Sequence, residues 1–237
     1  MKKAVILAAG RGTRMGELTR STPKPLLDLN GRPMLHHILD RIAAAGVSEA
    51  LIVTGYLAEQ MEAAARSHGL PVSFRRQTEV NGTAKAALLA EDWAGDDPFF
   101  LTFGDILAEP HHYAGMRDAF AGSDGVLAAR HVEDPWQGAA IYVEETGRVL
   151  RIIEKPPRGT STTPWNSAGI YVFTPAIFAE LHATPLSARG EYELTSAIAQ
   201  SIEHGSHFRL FALDGDWMDV GRPEDISRAQ KIIASGA

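Results

Sequence analysis

The chain has 237 residues, 45% of them hydrophobic and 22% charged, with a net charge of −6. That composition excludes a disordered or fibrous protein, and the acidic balance argues against a nucleic-acid binder relying on a broad basic face. The absence of cysteine excludes disulfides, thiolate-held zinc and a thiol nucleophile.

Lys2 and Lys3 precede an apolar run over 4–9, but Arg11 and Arg14 cut it short of a signal peptide. No run approaches a membrane span, so the expectation is a cytoplasmic protein with no membrane partner. Lys3 to Ala9 reads as a strand buried on both faces, the kind found inside parallel sheets. Leu35, Ile38, Leu39 and Ile42 recur at helical spacing, and Gly46 stops that helix. A strand over 50–54, a helix over 57–66, a strand over 72–76, a helix over 83–93 and a strand over 99–103 follow. This alternation predicts strand–helix crossovers in one sheet, an α/β fold. The second half differs. Short strands over 125–130, 139–143 and 149–153, separated by polar turns, suggest antiparallel additions. A Pro- and Thr-rich loop covers 156–164, then a strand over 168–173, a helix over 194–203, a strand over 208–213 and a last helix near Pro223. No repeat, linker or composition break divides the chain, so a single domain over 1–237 is expected, its two halves (1–110 and 111–237) differing in pattern.

The segment Leu7-Ala8-Ala9-Gly10-Arg11-Gly12-Thr13-Arg14-Met15 directly follows the first strand. A glycine-rich turn there lets backbone N–H groups approach phosphate oxygens. It is neither a Walker A loop, which needs a Gly-Lys pair, nor a dinucleotide fingerprint, whose third glycine is Met15. Taken alone, it reads equally well as a tight turn with two surface arginines. Thr22-Pro23-Lys24-Pro25-Leu26 then fixes a lysine between two prolines, which stiffen the backbone on both sides. A lysine held against a phosphate needs such positioning, because placed charge supplies most of the catalysis in phosphoryl-type transfer.

With these motifs the chain resembles the sugar-1-phosphate nucleotidylyltransferases, the group holding glucose-1-phosphate uridylyl- and thymidylyltransferases. The resemblance covers essentially the whole chain. The segments 7–14 and 23–26 resemble the family's nucleotide-binding signature, and Gln77 with Gly82-Thr83-Ala84 its base-recognition segment. Gly104-Asp105 and Trp217-Met218-Asp219-Val220-Gly221 resemble the segments carrying two magnesium aspartates. Glu154-Lys155-Pro156, Asn166 with Gly169, and Gly190-Glu191-Tyr192-Glu193-Leu194-Thr195 resemble the sugar-phosphate site, and Gly138 a position where backbone approaches the sugar. The fold implied is a Rossmann-like three-layer αβα architecture with a mixed, mostly parallel central sheet, of the GT-A-like nucleotidyltransferase kind.

The resemblance implies that a nucleoside triphosphate (UTP or dTTP) and a glucose-like sugar 1-phosphate give an NDP-sugar and pyrophosphate, with Mg²⁺ as cofactor. Catalytic roles then fall to Arg14, Lys24, Asp105 and Lys155. Nucleotide binding falls to Leu7, Ala8, Ala9, Gly10, Gly12, Thr13, Arg14, Lys24, Gln77, Gly82 and Thr83. Substrate binding falls to Gly138, Glu154, Lys155, Asn166, Gly169, Glu191 and Thr195, and metal binding to Asp105 and Asp219. The chemistry suits these types: Arg14 and Lys24 neutralise the triphosphate, Lys155 holds the sugar phosphate, and two carboxylates suit a hard cation. N-acetylhexosamine or muramic acid 1-phosphate, and CTP with another phosphorylated acceptor, stay open. A non-catalytic nucleotide-sensing relative is the competing class, although it predicts damage at Arg14, Lys24, Asp105, Lys155 or Asp219, and all five are present. Homo-oligomers are common among relatives.

Ordinary readings stand beside these. Asp105 also suits a turn, Asp219 a plain salt bridge, and Glu191 and Glu193 the start of a helix; the match favours Glu191 and Thr195 over Glu193. His36-His37 and His111-His112 are expected at the surface or at helix ends, since adjacent histidines diverge and chelate poorly together. Trp136 either stacks on a sugar or covers the sheet. Lys85 and Phe103 depart from the family pattern, which commonly has a small or neutral residue and an asparagine there.

Overall fold

The structure is a computed structural model, and it describes residues 1–235. β1 (Lys3–Ala8) leads into two 3-10 turns (Thr13–Thr19 and Lys24–Leu26) and a small hairpin, β2 (Asp28–Leu29) and β3 (Arg32–Pro33). Then come α1 (Met34–Ala44), β4 (Glu49–Thr54), α2 (Ala58–Arg66), β5 (Val72–Arg76), α3 (Thr83–Leu88), α4 (Glu91–Ala94), β6 (Phe99–Phe103), β7 (Ile106–Ala108) and α5 (Pro110–Ala119). The second half adds β8 (Gly125–His131), β9 (Ala139–Val143), β10 (Val149–Glu154), β11 (Trp165–Phe173), α6 (Ile177–Ala183), α7 (Leu194–Glu203), β12 (Phe208–Ala212), β13 (Trp217–Asp219) and α8 (Asp225–Ser235).

Nine strands form one mixed sheet whose main path runs β10-β9-β11-β6-β1-β4-β5, with β8 and β12 continuing beside β11. Pairing is parallel from β6 through β1 and β4 to β5. It becomes antiparallel where β11 meets β6, β8 and β9, and where β9 meets β10. β12 returns parallel to β8. β1 shows why it is apolar from Ala4 onward. Ala4, Ile6 and Ala8 face one core with α1, α2, α5 and α8, while Val5, Leu7 and Ala9 face the other with α3, α6 and α7. A strand covered on both faces has no polar side to present. The three layers are therefore helices, sheet, helices.

One local expectation changes and another holds. The helix expected over 83–93 is divided into α3 and α4, because Leu89 and Ala90 donate to carbonyls only three residues back (3.3 and 3.0 Å) and tighten the chain into a turn. Gly46 does end α1, at φ 92°, a left-handed backbone that glycine adopts without strain. Among the described residues no helix is long and apolar enough to cross a membrane.

His36, His37, His111 and His112 all lie in the first turn of a helix, as expected of helix-end residues, but two of them are buried rather than at the surface. His37 is buried beneath the β2–β3 hairpin, and its Nε2 donates to the Leu29 carbonyl at 2.8 Å. His112 is wholly buried at the start of α5, and it reaches Asp214 together with its neighbour His111. Each is the polar member of an otherwise apolar face, tolerated because its ring nitrogens find backbone partners. Burial holds both imidazoles below the usual histidine pKa of 6.5. The unfolded chain then takes up protons that the native state refuses, so stability is lost as pH falls through about 6.5. We expect the melting temperature to drop between pH 7.5 and 5.5. His37→Gln, which keeps a donor for Leu29 but does not titrate, should flatten that fall; an unchanged slope would exonerate His37.

Candidate active site

A cleft of about 420 Å³ opens at the carboxyl ends of β1 and β6, where α/β folds place their ligands. Its walls include all eleven residues expected to meet a nucleotide: Leu7, Ala8, Ala9, Gly10, Gly12, Thr13, Arg14, Lys24, Gln77, Gly82 and Thr83. Asp105 and Glu191 line it too. Pro25, Gly104 and Gly221, known from the sequence only as members of motifs, also contribute, with Val80, Ala86 and Phe103, which the sequence had assigned no contact with a ligand. Phe103 and Gly104 were visible only as flanks of the Asp105 motif. Val80, 63% exposed, gave no signal because one valine in a polar loop resembles any other.

The glycine-rich turn is shaped by its neighbours. Gly12 lies at φ 64°, and a Cβ there would press on the Lys24 side chain at 3.0 Å. A Cβ on Gly104 would meet Pro25 at 2.9 Å and Ala8 at 3.0 Å. Both glycines thus let the turn after β1, the Pro-Lys-Pro segment and the end of β6 converge. Lys24 is only 6% exposed at that junction. Its Nζ lies 2.5 Å from Asp105 Oδ2 and 3.9 Å from Asp219 Oδ1. β7 and β13 deliver those two carboxylates: they pair as a separate antiparallel ribbon with Asp219 opposite Ile106, and Val220 N–H donates to the Asp105 carbonyl at 2.9 Å.

The electrostatics are those of a site short of positive charge. Although the Asp219 side chain is 43% exposed, surrounding protein and the charge of Asp105 push its carboxyl above the usual range, against the pull of Lys24 and Arg14. Arg14, exposed at the cleft, has no carboxylate within ion-pair distance among the described residues. Two hard oxygen donors whose mutual repulsion is only partly relieved fit a divalent cation.

Gln77 is buried, and its amide donates to the Gly82 carbonyl at 3.1 Å, which fixes the loop that closes this wall. A Cβ on Gly82 would collide with the backbone of Tyr192. That contact, with Ala84 N–H to Tyr192 O (2.9 Å) and Leu194 N–H to Thr83 Oγ1 (2.9 Å), joins the loop before α3 to the loop before α7. Gly82 therefore serves loop-to-loop packing, a requirement that a lone glycine in sequence does not reveal. Lys85 lies over the Tyr192 ring at 4.7 Å, which accounts for a charge at that position.

Most of the remaining substrate-site residues lie beside the cleft, around the ends of β9, β10 and β11. Lys155 N–H donates to the Gly138 carbonyl at 2.8 Å, and Gly138 leaves the room that the Asn166 amide fills. Asn166 Oδ1 is buried with no hydrogen-bond partner among the described residues, while its amide donates to Ser167 O at 3.1 Å. Glu154 accepts from Thr195 Oγ1 (3.1 Å) and Arg189 (3.2 Å); Lys155 is not its partner. Glu193 stands at the start of α7, but its carboxylate pairs with Arg189 at 3.2 Å and accepts from Ser187 Oγ at 3.0 Å rather than capping the helix. Arg189 is thus a third member of this carboxylate group, and its place in an ordinary turn sequence hid it. Gly169 lies apart, at φ 72° against Phe103, where β11 passes the end of β6. Trp136 is 37% exposed with Arg158 over its ring at 5.5 Å.

Comparison with known proteins agrees with this architecture. The chain is 34% identical over 240 residues to the UTP–glucose-1-phosphate uridylyltransferase AglF of Haloferax volcanii, covering 98% of this chain and 96% of that one. It is 33% identical over 230 residues to the bifunctional protein GlmU of Methanocaldococcus jannaschii, covering 97% of this chain but 54% of that protein. It therefore spans only about half the length of some curated relatives. A structure of UDP-glucose pyrophosphorylase complexed with UDP-glucose superposes with a TM-score of 0.86 at 23% identity, covering 100% of both chains, which speaks to the fold. The match over residues 3–236 is to the family described as Nucleotidyl transferase, and the chain belongs to that family.

Proposed function

We propose that this protein is a sugar-1-phosphate nucleotidylyltransferase that joins UTP or dTTP to a glucose-like sugar 1-phosphate, giving an NDP-sugar and pyrophosphate. The observation that carries this reading is the convergence of Lys24, Asp105 and Asp219 at the cleft formed by the glycine-rich turn. Similarity to the uridylyltransferase AglF supports UTP and glucose 1-phosphate among the candidate pairs.

In the reaction, an oxygen of the sugar phosphate attacks the α-phosphorus of the triphosphate. The bond from that phosphorus to the bridging oxygen breaks, and its electron pair leaves with pyrophosphate. The attacking phosphate is already ionised, so the chain supplies no base. Its work is charge and placement. The backbone of residues 8–13 admits the phosphates closely, and Arg14 and Lys24 face their negative charge. Gln77, Gly82 and Thr83 bound the space for the base. Lys155 meets the incoming phosphate, while Asn166, Glu154, Thr195 and Glu191 offer hydrogen-bond partners for sugar hydroxyls. Asp105 and Asp219 would hold Mg²⁺, which supplies charge neutralisation and alignment of the phosphates when bound.

The test is pyrophosphate release with Mg²⁺ across the common nucleoside triphosphates and a panel of sugar 1-phosphates that includes N-acetylated and muramic acid types. Release requiring both substrates supports the proposal and names the pair. Silence from folded protein across the panel would turn the reading to an unusual phosphorylated acceptor or to a nucleotide-sensing protein.

Lys155 makes a sharper case. Its backbone N–H, held by Gly138, survives truncation, and its side chain has no hydrogen-bond or ion-pair partner among the described residues. Lys155→Ala should therefore raise KM for the sugar phosphate by about 10- to 100-fold, the worth of one charged hydrogen bond, and leave KM for the triphosphate near its original value. An unchanged sugar-phosphate KM would place Lys155 outside the site.

A further inference from the structure

The ribbon that carries the two carboxylates is short and stands outside the nine-stranded sheet. It has three paired positions, Ile106–Asp219, Leu107–Met218 and Ala108–Trp217. A ribbon of this size is marginal alone, and a shift of two residues would carry Asp219 past Asp105 by about 7 Å. Its near end is fixed by Val220 N–H on Asp105 O.

Its far end is closed by His112. This ring is 0% exposed. Its Nδ1 accepts from Glu109 N–H, just after β7, at 3.2 Å, and its Nε2 donates to the backbone carbonyl of Asp214, ahead of β13. One side chain therefore grips both strands where the ribbon opens. His111 reinforces the grip, with Nε2 3.0 Å from Asp214 Oδ1 and Nδ1 3.0 Å from Glu109 Oε2. The ring nitrogens and the Asp214 carboxylate lie within 4.8 Å of one another, a spacing that would also suit a metal ion. The hydrogen bonds decide otherwise: with Nδ1 accepting from a backbone N–H, the ring proton sits on Nε2 and points at a carbonyl, so no lone pair is free there.

We propose that His112 is a positioning residue: by clamping Glu109 to Asp214 it fixes the register that holds Asp219 beside Asp105. This rests on the reading of those two aspartates as a cation site. Neither histidine faces the cleft, so the effect is transmitted through the ribbon alone.

Two substitutions separate the clamp from ordinary helix capping. His112→Asn places its amide oxygen where Nδ1 was and keeps the bond from Glu109, but it ends short of Asp214. His112→Gln extends an amide donor to where Nε2 was and can still reach the Asp214 carbonyl. Mn²⁺ titrated into the full chain with UTP, followed by the spin-resonance signal of free Mn²⁺, reads the site without turnover. We expect Asn to weaken Mn²⁺ binding by about tenfold, within the range for residues that orient metal ligands, and Gln to stay within about threefold of the original. Hydrogen exchange over 213–221 should accelerate by about tenfold in Asn and little in Gln. Equal Mn²⁺ affinity and equal exchange in Asn and the original protein overturn the proposal, even if Asn melts earlier. Should Asn not fold, Gln decides: a tenfold loss of Mn²⁺ affinity in a folded Gln variant overturns it, and retained affinity supports it. Mn²⁺ binding indifferent to Asp105→Ala instead overturns the cation-site reading, and the clamp's purpose with it.

Discussion

Asp105→Ala is expected to reduce turnover at least a thousandfold, about 4 kcal/mol of transition-state stabilisation, while the chain stays folded. The carboxylate is half of the proposed cation site and the direct partner of Lys24 at 2.5 Å. Its backbone carries a separate burden, since the Asp105 carbonyl accepts from Val220 N–H whatever the side chain is. Fold and chemistry are thus divided between main chain and side chain at one residue. The substitution is not free of cost to stability, because it leaves the Lys24 ammonium in a nearly closed position. Breaking one side of a buried pair costs about 3–5 kcal/mol when nothing replaces it. Asp219 at 3.9 Å and the open cleft both moderate that cost here. A melting temperature lowered by several degrees, with native circular dichroism, is the expected picture. Turnover within tenfold of the original protein would remove Asp105 from the reaction.

Lys24→Met should be nearly as damaging. Methionine preserves length and fills the space between Pro23 and Pro25, so the loss is that of one charge. The rate should fall by about 10²- to 10⁴-fold, the scale expected when a group facing transition-state charge is removed. A second readout distinguishes this from misfolding. Without the ammonium, only Arg14 still offsets Asp105 and Asp219, and Asp219, already pushed up by Asp105, loses its larger relief. Added Mg²⁺ should therefore raise the melting temperature of Lys24→Met more than that of the original protein, since a ligand stabilises whichever native state binds it more tightly. An equal response in both proteins would mean that Lys24 does not offset the carboxylate pair.

Much of this site is local and therefore legible. A strand apolar at every position must be covered on both faces, and a glycine-rich turn at its end must lie where ligands bind in such sheets. The segments 7–14 and 23–25 follow that logic, and all their residues but Arg11 and Pro23 line one cleft. Charge type was equally plain at Asp105, Lys155 and Asp219. The family resemblance then assigned them partners that periodicity alone does not give.

What was hidden depends on contacts between distant segments. β7 and β13 are three residues each, too short for a period-2 pattern, and exist because Met218 and Leu107 meet across a ribbon. Gly82 is required by Tyr192, 110 positions later, and Arg189 matters because it turns toward Glu154. His37 and His112 are polar letters in helices, and no sequence rule says which face of a helix another element will cover. The sequence by itself determined the alternating α/β architecture and the residue types gathered at the candidate site, because alternation, turn residues and charge are properties of neighbours along the chain. Only the tertiary structure decided which carboxylate pairs with which cation, and what clamps them, because those contacts are made by segments that folding alone brings together.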